Sequence, residues 1–269
     1  MAGKLEGKVA FITGAARGQG RTHAVRLAEE GADIIGIDIC APIDGVNYEP
    51  ATPDDLKETV RQVESRDRRM ISEVVDTRDL GKMQSVVDRG VSELGRLDVI
   101  AGNAGIDIVV PWDRVTPEIM RTTIDINLIG TWNTVRAGVQ HLIDGDGGSI
   151  ILTSSANGIK AGPFNLPYNM SKFGVTALMR SLAMELAQNN VRVNSIHPGA
   201  VDTPMADGAL EAINEYGEGN PSLSGMLNQW IPGSMPPEEI SNALVYLASD
   251  ASKWVTGLAM SVDGGMAQY

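Results

Sequence analysis

Two side chains four positions apart could share one chemical task. Tyr168 and Lys172 lie within Pro167–Gln188, a segment whose apolar spacing predicts a helix, so both project from one helix face. A phenol ordinarily has a pKa of about 10, but a neighbouring ammonium group stabilises the ionised form and lowers that pKa. Tyr168 could then act as a general base near neutral pH. Because this spacing is common in helices, a purely structural pair is the alternative.

A hydroxyl group could complete this pair. Ser155 lies thirteen residues before Tyr168, directly after the predicted strand Ser149–Ser154. Preorganised hydrogen-bond donors stabilise charge that develops on a reacting oxygen. Ser155 could therefore hold the substrate oxygen whose proton Tyr168 transfers.

A glycine-rich turn joins the first predicted strand to the first predicted helix. Its sequence is Thr13-Gly14-Ala15-Ala16-Arg17-Gly18-Gln19-Gly20. Glycines permit a tight turn and let the backbone approach a pyrophosphate, which then lies at the positive end of the helix dipole. The turn therefore predicts a dinucleotide site, with a plain strand-to-helix turn as the alternative.

The second predicted strand ends at Asp38, eighteen residues after Gly20. A carboxylate at this place accepts hydrogen bonds from the adenosine ribose and repels a 2′-phosphate. The next residue, Ile39, adds no positive charge, so NAD is favoured over NADP. Arg17 argues the other way, because an arginine in the turn could meet a 2′-phosphate. A solvated strand-end carboxylate is the alternative for Asp38.

Short apolar segments rich in β-branched residues alternate with longer segments of helical period, which predicts repeated βα units. The predicted strands are Val9–Thr13, Asp33–Asp38, Ile71–Val75, Leu97–Ala101, Ser149–Ser154, Val191–His197 and Ala259–Val262. The predicted helices are Gly20–Glu30, Leu80–Leu94, Pro117–Ile143, Pro167–Gln188 and Pro237–Leu247. We expect an α/β fold, a Rossmann-type, doubly wound, mainly parallel sheet of seven strands with helices on both faces.

Composition limits the classes of function. The chain has 269 residues, of which 43% are hydrophobic and 21% charged, so we expect one globular domain over residues 1–269. The net charge of −12 opposes nucleic-acid binding, which depends on basic side chains. The single cysteine, Cys40, cannot form an internal disulfide, and Met1–Lys8 lacks the apolar stretch of a secretory signal. No apolar run is long enough to span a bilayer. We expect a soluble, cytoplasmic protein.

The Thr13–Gly20 turn together with Ser155, Tyr168 and Lys172 resembles the short-chain dehydrogenase/reductase family. The resemblance extends from about Lys8 to Met266 and implies hydride transfer between NAD and a secondary alcohol or ketone. It implies a catalytic tetrad in which Ser155, Tyr168 and Lys172 act as described above. The fourth member is Asn127, in Asp125-Ile126-Asn127, whose backbone positions a water beside Lys172 in the family.

Further family motifs mark the cofactor. The resemblance implies that Asp76 binds the adenine amino group, that Pro198-Gly199 lines the nicotinamide and that Thr203 binds its carboxamide. Asn103-Ala104-Gly105 follows the fourth strand as in the family, although Gly102 replaces the more usual second asparagine. The cofactor contacts implied in this way are Gly14, Arg17, Gly18, Gln19, Gly20, Asp38, Ile39, Asp76, Thr77, Asn103, Ala104, Gly105, Tyr168, Lys172, Pro198, Gly199, Val201 and Thr203.

Two further kinds of site are not expected. His197 has no carboxylate or serine at a suitable strand end around it, so we interpret it as a strand-end residue and not as a base. His, Cys and acidic residues do not cluster at the spacing of metal ligands, so no metal is expected.

A loop inserted at residues 40–53, after Asp38, is similar to that of the carveol-dehydrogenase-like, mycofactocin-associated branch of the family. That similarity implies an NAD that stays bound and is reoxidised by a separate redox carrier. Physically, an extra loop beside the adenosine site could bury the nucleotide, and Tyr48 could cover it. A surface excursion without cofactor contact is the alternative.

A second irregular stretch, residues 201–230, is interpreted as the substrate loop. Most of the expected lining is apolar, which suits a small alicyclic or terpenoid alcohol better than a sugar or a phosphorylated metabolite. The predicted substrate contacts are Ser155, Asn157, Ile159, Phe164, Tyr168 and Met205, with Ile106, Ile108, Met226 and Trp230 nearby. Packing in the core or at a subunit interface is the alternative for these side chains.

The family resemblance implies a homotetramer formed through the helices Pro117–Ile143 and Pro167–Gln188. Two other functions stay open. Arg17 suggests an NADP-linked ketoreductase, and a dinucleotide-sensing protein without chemistry could keep the same fold. A sensing protein is expected to lose part of the tetrad, whereas Asn127, Ser155, Tyr168 and Lys172 are all present.

Overall fold

The computed structural model describes residues 3–268 and contains a seven-stranded sheet in the order β3-β2-β1-β4-β5-β6-β7, in which all neighbours are parallel. The strands are β1 Val9–Thr13, β2 Asp33–Asp38, β3 Met70–Val74, β4 Val99–Gly102, β5 Gly148–Thr153, β6 Val191–Pro198 and β7 Ala259–Val262. The predicted fold class and all seven predicted strands are confirmed, with ends shifted by one or two residues.

Helices cover both faces of the sheet. They are α1 Gly18–Glu29, α2 Pro53–Glu64, α3 Leu80–Leu94, α4 Pro117–Ile124, α5 Gly130–Asp144, α6 Leu166–Leu186, α7 Pro204–Tyr216, α8 Pro221–Gly225 and α9 Pro237–Ala248. Strand β1 shows why two layers form, since Ala10 and Ile12 point into the core beneath α1 and α9 while Val9 and Phe11 point into the core beneath α3, α5 and α6. Such strands are apolar throughout because both faces are buried.

From β1 the chain adds β2 and β3 on one side, and it then returns to the other side of β1 to add β4 to β7. The strand order therefore reverses between β1 and β4. A crevice opens outside the carboxyl ends of the strands at such a point. The loops that follow β1, β2, β4, β5 and β6 therefore meet at one edge of the sheet, and these loops carry the predicted functional residues.

The predicted helix Pro117–Ile143 is wrong in one respect, because residues Asp125–Ile129 form a π-helical segment between α4 and α5. The wider turn lets the Asn127 side chain reach the backbone of Ile106, from which it accepts one hydrogen bond and to which it donates another, both of 2.8 Å. π-helical turns of this kind frequently occur at functional sites.

Three helices were not predicted: α2, α7 and the short α8. Helix α2 begins after Thr52, whose hydroxyl accepts from the Asp55 amide while the Asp55 carboxylate accepts from the Thr52 amide, a reciprocal capping box. Helix α7 occupies much of residues 201–230, so the prediction of an irregular substrate loop is wrong there. Its cap is Thr203, whose side chain accepts from the Ala206 amide.

His23 of α1 is buried against α9. Its Nδ1 lies 2.8 Å from the Ser241 hydroxyl, which in turn donates to the Pro237 carbonyl, so the imidazole donates to Ser241. Its Nε2 has no hydrogen-bond partner among residues 3–268. Burial lowers the pKa of His23 to about 3. The interface between α1 and α9 therefore holds a neutral imidazole.

Acid should destabilise the fold through His23. Its imidazole takes up a proton below a pH of about 6.5 in the unfolded chain but only near 3 in the folded chain. The unfolded state thus binds more protons between these values, and the free energy of unfolding falls as the pH falls. We expect His23→Leu to flatten the dependence of the urea midpoint on pH between 7 and 4. Ser241→Ala, which keeps the imidazole, should retain the parent slope; an unaltered slope in His23→Leu contradicts this account.

Candidate active site

A cavity of about 690 Å³ lies at the carboxyl edge of the sheet. All the cofactor contacts predicted from the sequence line it, among them Gly14 and Asp38 as well as Tyr168, Lys172 and Thr203. Ser155, Asn157 and Met205 of the predicted substrate contacts line it as well. One continuous space therefore joins the predicted nucleotide site to the predicted acid–base groups.

Two predicted substrate contacts lie outside this lining. Ile159 follows the short helical turn after β5 and is 39% exposed. Phe164 packs edge-on against Tyr216 of α7, in a small cluster with Val109 and Ala212. The Phe164 ring thus packs against α7 and does not reach the cavity. Helix α7 itself lines the cavity with residues that were not predicted, among them Ala209, Leu210 and Ile213.

The glycine turn needs its glycines for steric reasons. Gly14 has a φ of +71°, and a Cβ on Gly20 would lie 1.9 Å from the Gly14 carbonyl oxygen. The turn is tied to the loop after β4, because the Thr13 hydroxyl accepts from the amides of Asn103 (3.1 Å) and Ala104 (3.2 Å). Two loops from neighbouring strands therefore form one rigid wall of the cavity.

Asp38 lies at the end of β2 with its carboxylate held from both sides. One oxygen accepts from the Ala16 amide and the other from the Cys40 amide, each at 3.0 Å. The guanidinium of Arg17 lies over the ring of Tyr48, 5.8 Å from its centroid. Asp76 also lines the cavity and forms a multidentate ion pair with Arg78. Two carboxylates, those of Asp38 and Asp76, therefore line the cavity, and the Arg17 guanidinium contacts the Tyr48 ring.

Helix α6 brings Tyr168 and Lys172 together. The Lys172 nitrogen lies 5.4 Å from the centroid of the Tyr168 ring and donates to the Thr153 carbonyl at the end of β5, at 2.9 Å. Asn127 lies behind them, fully buried, and its amide donates to Ser171 of α6 at 3.1 Å. The four predicted catalytic residues therefore meet at one place, three on the cavity wall and Asn127 beneath it.

Burial dominates the electrostatics of this pair. It raises the pKa of Tyr168 above its usual range; the nearby Asp107 adds to the increase, and a hydrogen bond from Ser155 opposes it. Burial lowers the pKa of Lys172 to about 8, whereas Asp107 acts to raise it. The phenol therefore stays protonated until further positive charge enters the cavity.

His197 has a role that the sequence interpretation missed. The imidazole is fully buried; its Nδ1 lies 2.8 Å from the Ser155 carbonyl and its Nε2 lies 2.8 Å from the Ser195 hydroxyl. The expectation that no serine accompanies it is wrong, because Ser195 lies two residues earlier on the same face of β6. An imidazole that donates from Nδ1 holds the backbone of Ser155, so His197 is a positioning residue.

The described residues contain neither a candidate metal site nor a candidate membrane-spanning helix. Among residues 3–268, no group of three His, Cys, Asp or Glu side chains could hold a metal ion. No helix in that range is long and apolar enough to cross a membrane.

Comparison with known proteins identifies the family. Residues 8–214 match the short chain dehydrogenase family. The chain is 42% identical to (-)-trans-carveol dehydrogenase of Rhodococcus erythropolis, with 97% of this chain and 98% of that one covered. The chain therefore belongs to the short-chain dehydrogenase/reductase family and is an oxidoreductase.

Solved structures agree. A short chain dehydrogenase from Mycobacterium paratuberculosis bound to NAD is 53% identical and superposes with a TM-score of 0.97, covering 99% of this chain and 100% of that one. A carveol dehydrogenase from Mycobacterium avium in complex with NAD is 44% identical, with a TM-score of 0.93 and coverage of 99% and 100%. The fold of this chain is thus that of these enzymes over nearly its whole length.

Gly20→Ala should reduce binding of NAD at least about tenfold. The new methyl group would meet the Gly14 carbonyl at 1.9 Å and force the turn apart, which removes the backbone surface that faces the pyrophosphate. Equilibrium titration of cofactor-free protein with NAD measures the effect. Gly81→Ala is the matched control, because its Cβ would make only an ordinary 3.7 Å contact with Asp79. Parent-like affinity in Gly20→Ala contradicts the assignment of the turn.

Proposed function

We propose that this protein is an NAD-dependent dehydrogenase that interconverts a secondary alcohol, alicyclic or terpenoid, and its ketone. The observation that carries the proposal is the single cavity that joins Asp38 to Ser155, Tyr168 and Lys172. A dinucleotide whose adenosine ribose binds at a strand-end carboxylate extends along the strand ends to the acid–base groups.

The nucleotide end of the cavity fits NAD. Asp38 is positioned by two backbone amides and would repel a 2′-phosphate. The Gln19 side-chain oxygen, in the glycine turn, is buried without a partner in the described chain and so offers an acceptor to a ligand. Arg17, the one feature that favoured NADP, lies over Tyr48. The NADP-linked alternative therefore loses its support.

The chain's own residues supply the proton chemistry. Oxidised NAD, when bound, accepts the carbinol hydrogen with its electron pair, and its positive charge favours the ionised form of Tyr168. The Tyr168 phenolate takes the hydroxyl proton, so that the carbon–oxygen double bond of the ketone forms as the carbon–hydrogen bond breaks. Ser155 donates a hydrogen bond to the same oxygen. Lys172 stabilises the phenolate, and Asn127 holds α6 in register.

Tyr168→Phe should lower kcat for carveol oxidation by about 100- to 10,000-fold, the usual contribution of a general base. Its affinity for NAD should stay within about threefold of the parent, because the ring and its packing remain. Steady-state kinetics and NAD titration measure the two quantities. Tyr216→Phe, on α7 outside the cavity lining, is the matched control and should behave as the parent. A fully active Tyr168→Phe variant overturns the mechanism.

Apolar side chains make up much of the substrate end of the cavity. Its wall includes Ile106 from the loop after β4, Leu210 and Ile213 from α7, and Leu227. Such a lining fits a cyclic hydrocarbon skeleton better than a sugar or a phosphate ester. The carveol dehydrogenase relative acts, by its name, on an alcohol of this kind. We therefore place the substrate among alicyclic or terpenoid alcohols and ketones.

The loop of residues 40–53 supports a retained cofactor. The Asn47 side chain donates to the Gly208 carbonyl of α7 at 3.0 Å, so the loop extends across the cavity from the end of β2 to α7. Within the loop, Tyr48 accepts from the Asp107 amide at 3.4 Å and lies beneath Arg17. A loop that is hydrogen-bonded to α7 and to the loop after β4 slows the escape of a nucleotide bound beneath it. We infer that NAD stays bound between turnovers and that a separate redox carrier reoxidises it.

Protein purified without added nucleotide should release about one NAD or NADH per chain on denaturation, measured by mass spectrometry. Asn47→Ala should lower that content and speed exchange with labelled NAD, because it removes the bond to Gly208. Asp44→Ala, an exposed change in the same loop, is the control and should keep the parent content. Released NADP would overturn the choice of cofactor. An empty protein that uses added NAD would overturn retention alone.

Assembly and location complete the proposal. Exposed apolar side chains lie along the π-helical segment and α6, at Ile129, Met170, Phe173 and Met184. A face of this kind supports a homotetramer formed through α5 and α6. The single cysteine, partly buried, is in keeping with a cytoplasmic protein. The complete tetrad favours an enzyme over a dinucleotide-sensing protein, and substrate-dependent reduction of bound NAD would decide between them.

A further inference from the structure

A buried polar pair in the cavity wall makes no direct contact assigned in the mechanism above, although the charge of one member, Asp107, acts on Tyr168 and Lys172. Asp107 is 6% exposed and Asn165 is 3% exposed, and both line the cavity. One Asp107 oxygen accepts from the Asn165 amide at 3.0 Å. The other Asp107 oxygen and the Asn165 carbonyl oxygen have no hydrogen-bond partner among residues 3–268.

Two orphaned acceptors side by side are costly; they are two of the five buried side-chain polar atoms that have no partner among residues 3–268. Each buried acceptor without a donor costs about 1–3 kcal/mol, and a carboxylate costs more. Burial raises the pKa of Asp107 to about 7, against the opposing charge of Lys172 and the hydrogen bond from Asn165. Neither the backbone nor the neighbouring side chains supply the missing donors. A ligand hydroxyl in the cavity would supply one.

The pair lies beside the acid–base groups. Asp107 belongs to the loop after β4, two residues beyond the Asn103-Ala104-Gly105 turn. Asn165 directly precedes α6, three residues before Tyr168, and its side chain makes no capping hydrogen bond to the helix. Both residues line the same cavity as Tyr168 and Lys172, and the Asp107 amide donates to the Tyr48 hydroxyl at 3.4 Å. Apolar side chains make up much of the rest of the substrate end. A polar group of the substrate would therefore find its acceptors here.

We propose that Asp107 and Asn165 form a second polar anchor, which accepts a hydrogen bond from a substrate hydroxyl other than the one oxidised at Tyr168. The inference deepens the proposed function and rests on it. It narrows the substrate class from monohydric alicyclic alcohols to cyclic diols and hydroxy ketones. Asp107 is then a specificity-determining residue and takes no part in proton transfer.

The test compares cyclohexanol with the 1,2-, 1,3- and 1,4-cyclohexanediols, using the NAD-bound enzyme and an artificial electron acceptor. At least one diol should exceed cyclohexanol in kcat/KM about tenfold or more, the cost of leaving a buried acceptor unpaired. Asp107→Leu should bring the ratio of the diol and cyclohexanol kcat/KM values to about one. This ratio is the readout because the Asp107 charge also acts on the pKa values of Tyr168 and Lys172, so that its loss shifts the turnover of both alcohols together. Asp107→Asn, which keeps an acceptor oxygen, should retain most of the preference, as should the exposed control Asp113→Leu.

Two results overturn the anchor. The first is a parent enzyme whose kcat/KM is no higher for any diol than for cyclohexanol. The second is an Asp107→Leu variant whose kcat/KM values for cyclohexanol and for the diol fall by the same factor, which indicates a structural role.

A binding measurement separates this inference from the proposed function and does not require Asp107→Leu to fold. Calorimetric titration of NAD-bound Tyr168→Phe should show tighter binding of the preferred diol than of cyclohexanol. Equal binding overturns the anchor. A parent that oxidises no alcohol yet binds a diol selectively contradicts the proposed function and supports the anchor.

Discussion

The buried ammonium group of Lys172 is the constraint on which the rest of the site depends. The side chain is almost fully buried, so the protein must replace the hydration that its charge has lost. The Thr153 carbonyl at the end of β5 accepts from it at 2.9 Å, and Asp107 supplies a nearby negative charge. Helix α6 can occupy only the rotation and height that satisfy these partners. The position of Tyr168, one turn earlier, follows from that restriction.

Several bonds hold α6 in this position, and each comes from a different element. The Ser154 hydroxyl donates to the Lys172 carbonyl at 2.9 Å, and Asn127 donates to Ser171 from the π-helical segment. On the other side, His197 of β6 holds the Ser155 carbonyl. Tyr168, Lys172 and Ser155 are thus fixed by the ends of two strands and one irregular helix turn, which is the preorganisation that the proposed mechanism requires.

The sequence was sufficient for the sheet and for the ends of its strands, because apolar runs and strand-end polar residues are local signals. The same local signals predict the positions of Asp38 at the end of β2 and of Tyr168 and Lys172 one turn apart on α6. Helices α2 and α7 were not predicted, although the sequence carries an N-cap residue for each, Thr52 and Thr203. Three-dimensional packing decided the rest. Nothing local shows that Asp107 is buried or that the Phe164 ring turns towards α7.

Arg17 shows how an insertion changes what a motif residue means. In the turn alone, its charge favours a 2′-phosphate and contradicts Asp38. The loop of residues 40–53 brings Tyr48 to it, and the guanidinium lies over that ring. The Tyr48 hydroxyl in turn meets the Asp107 amide, so one side chain touches both the nucleotide end and the substrate end of the cavity.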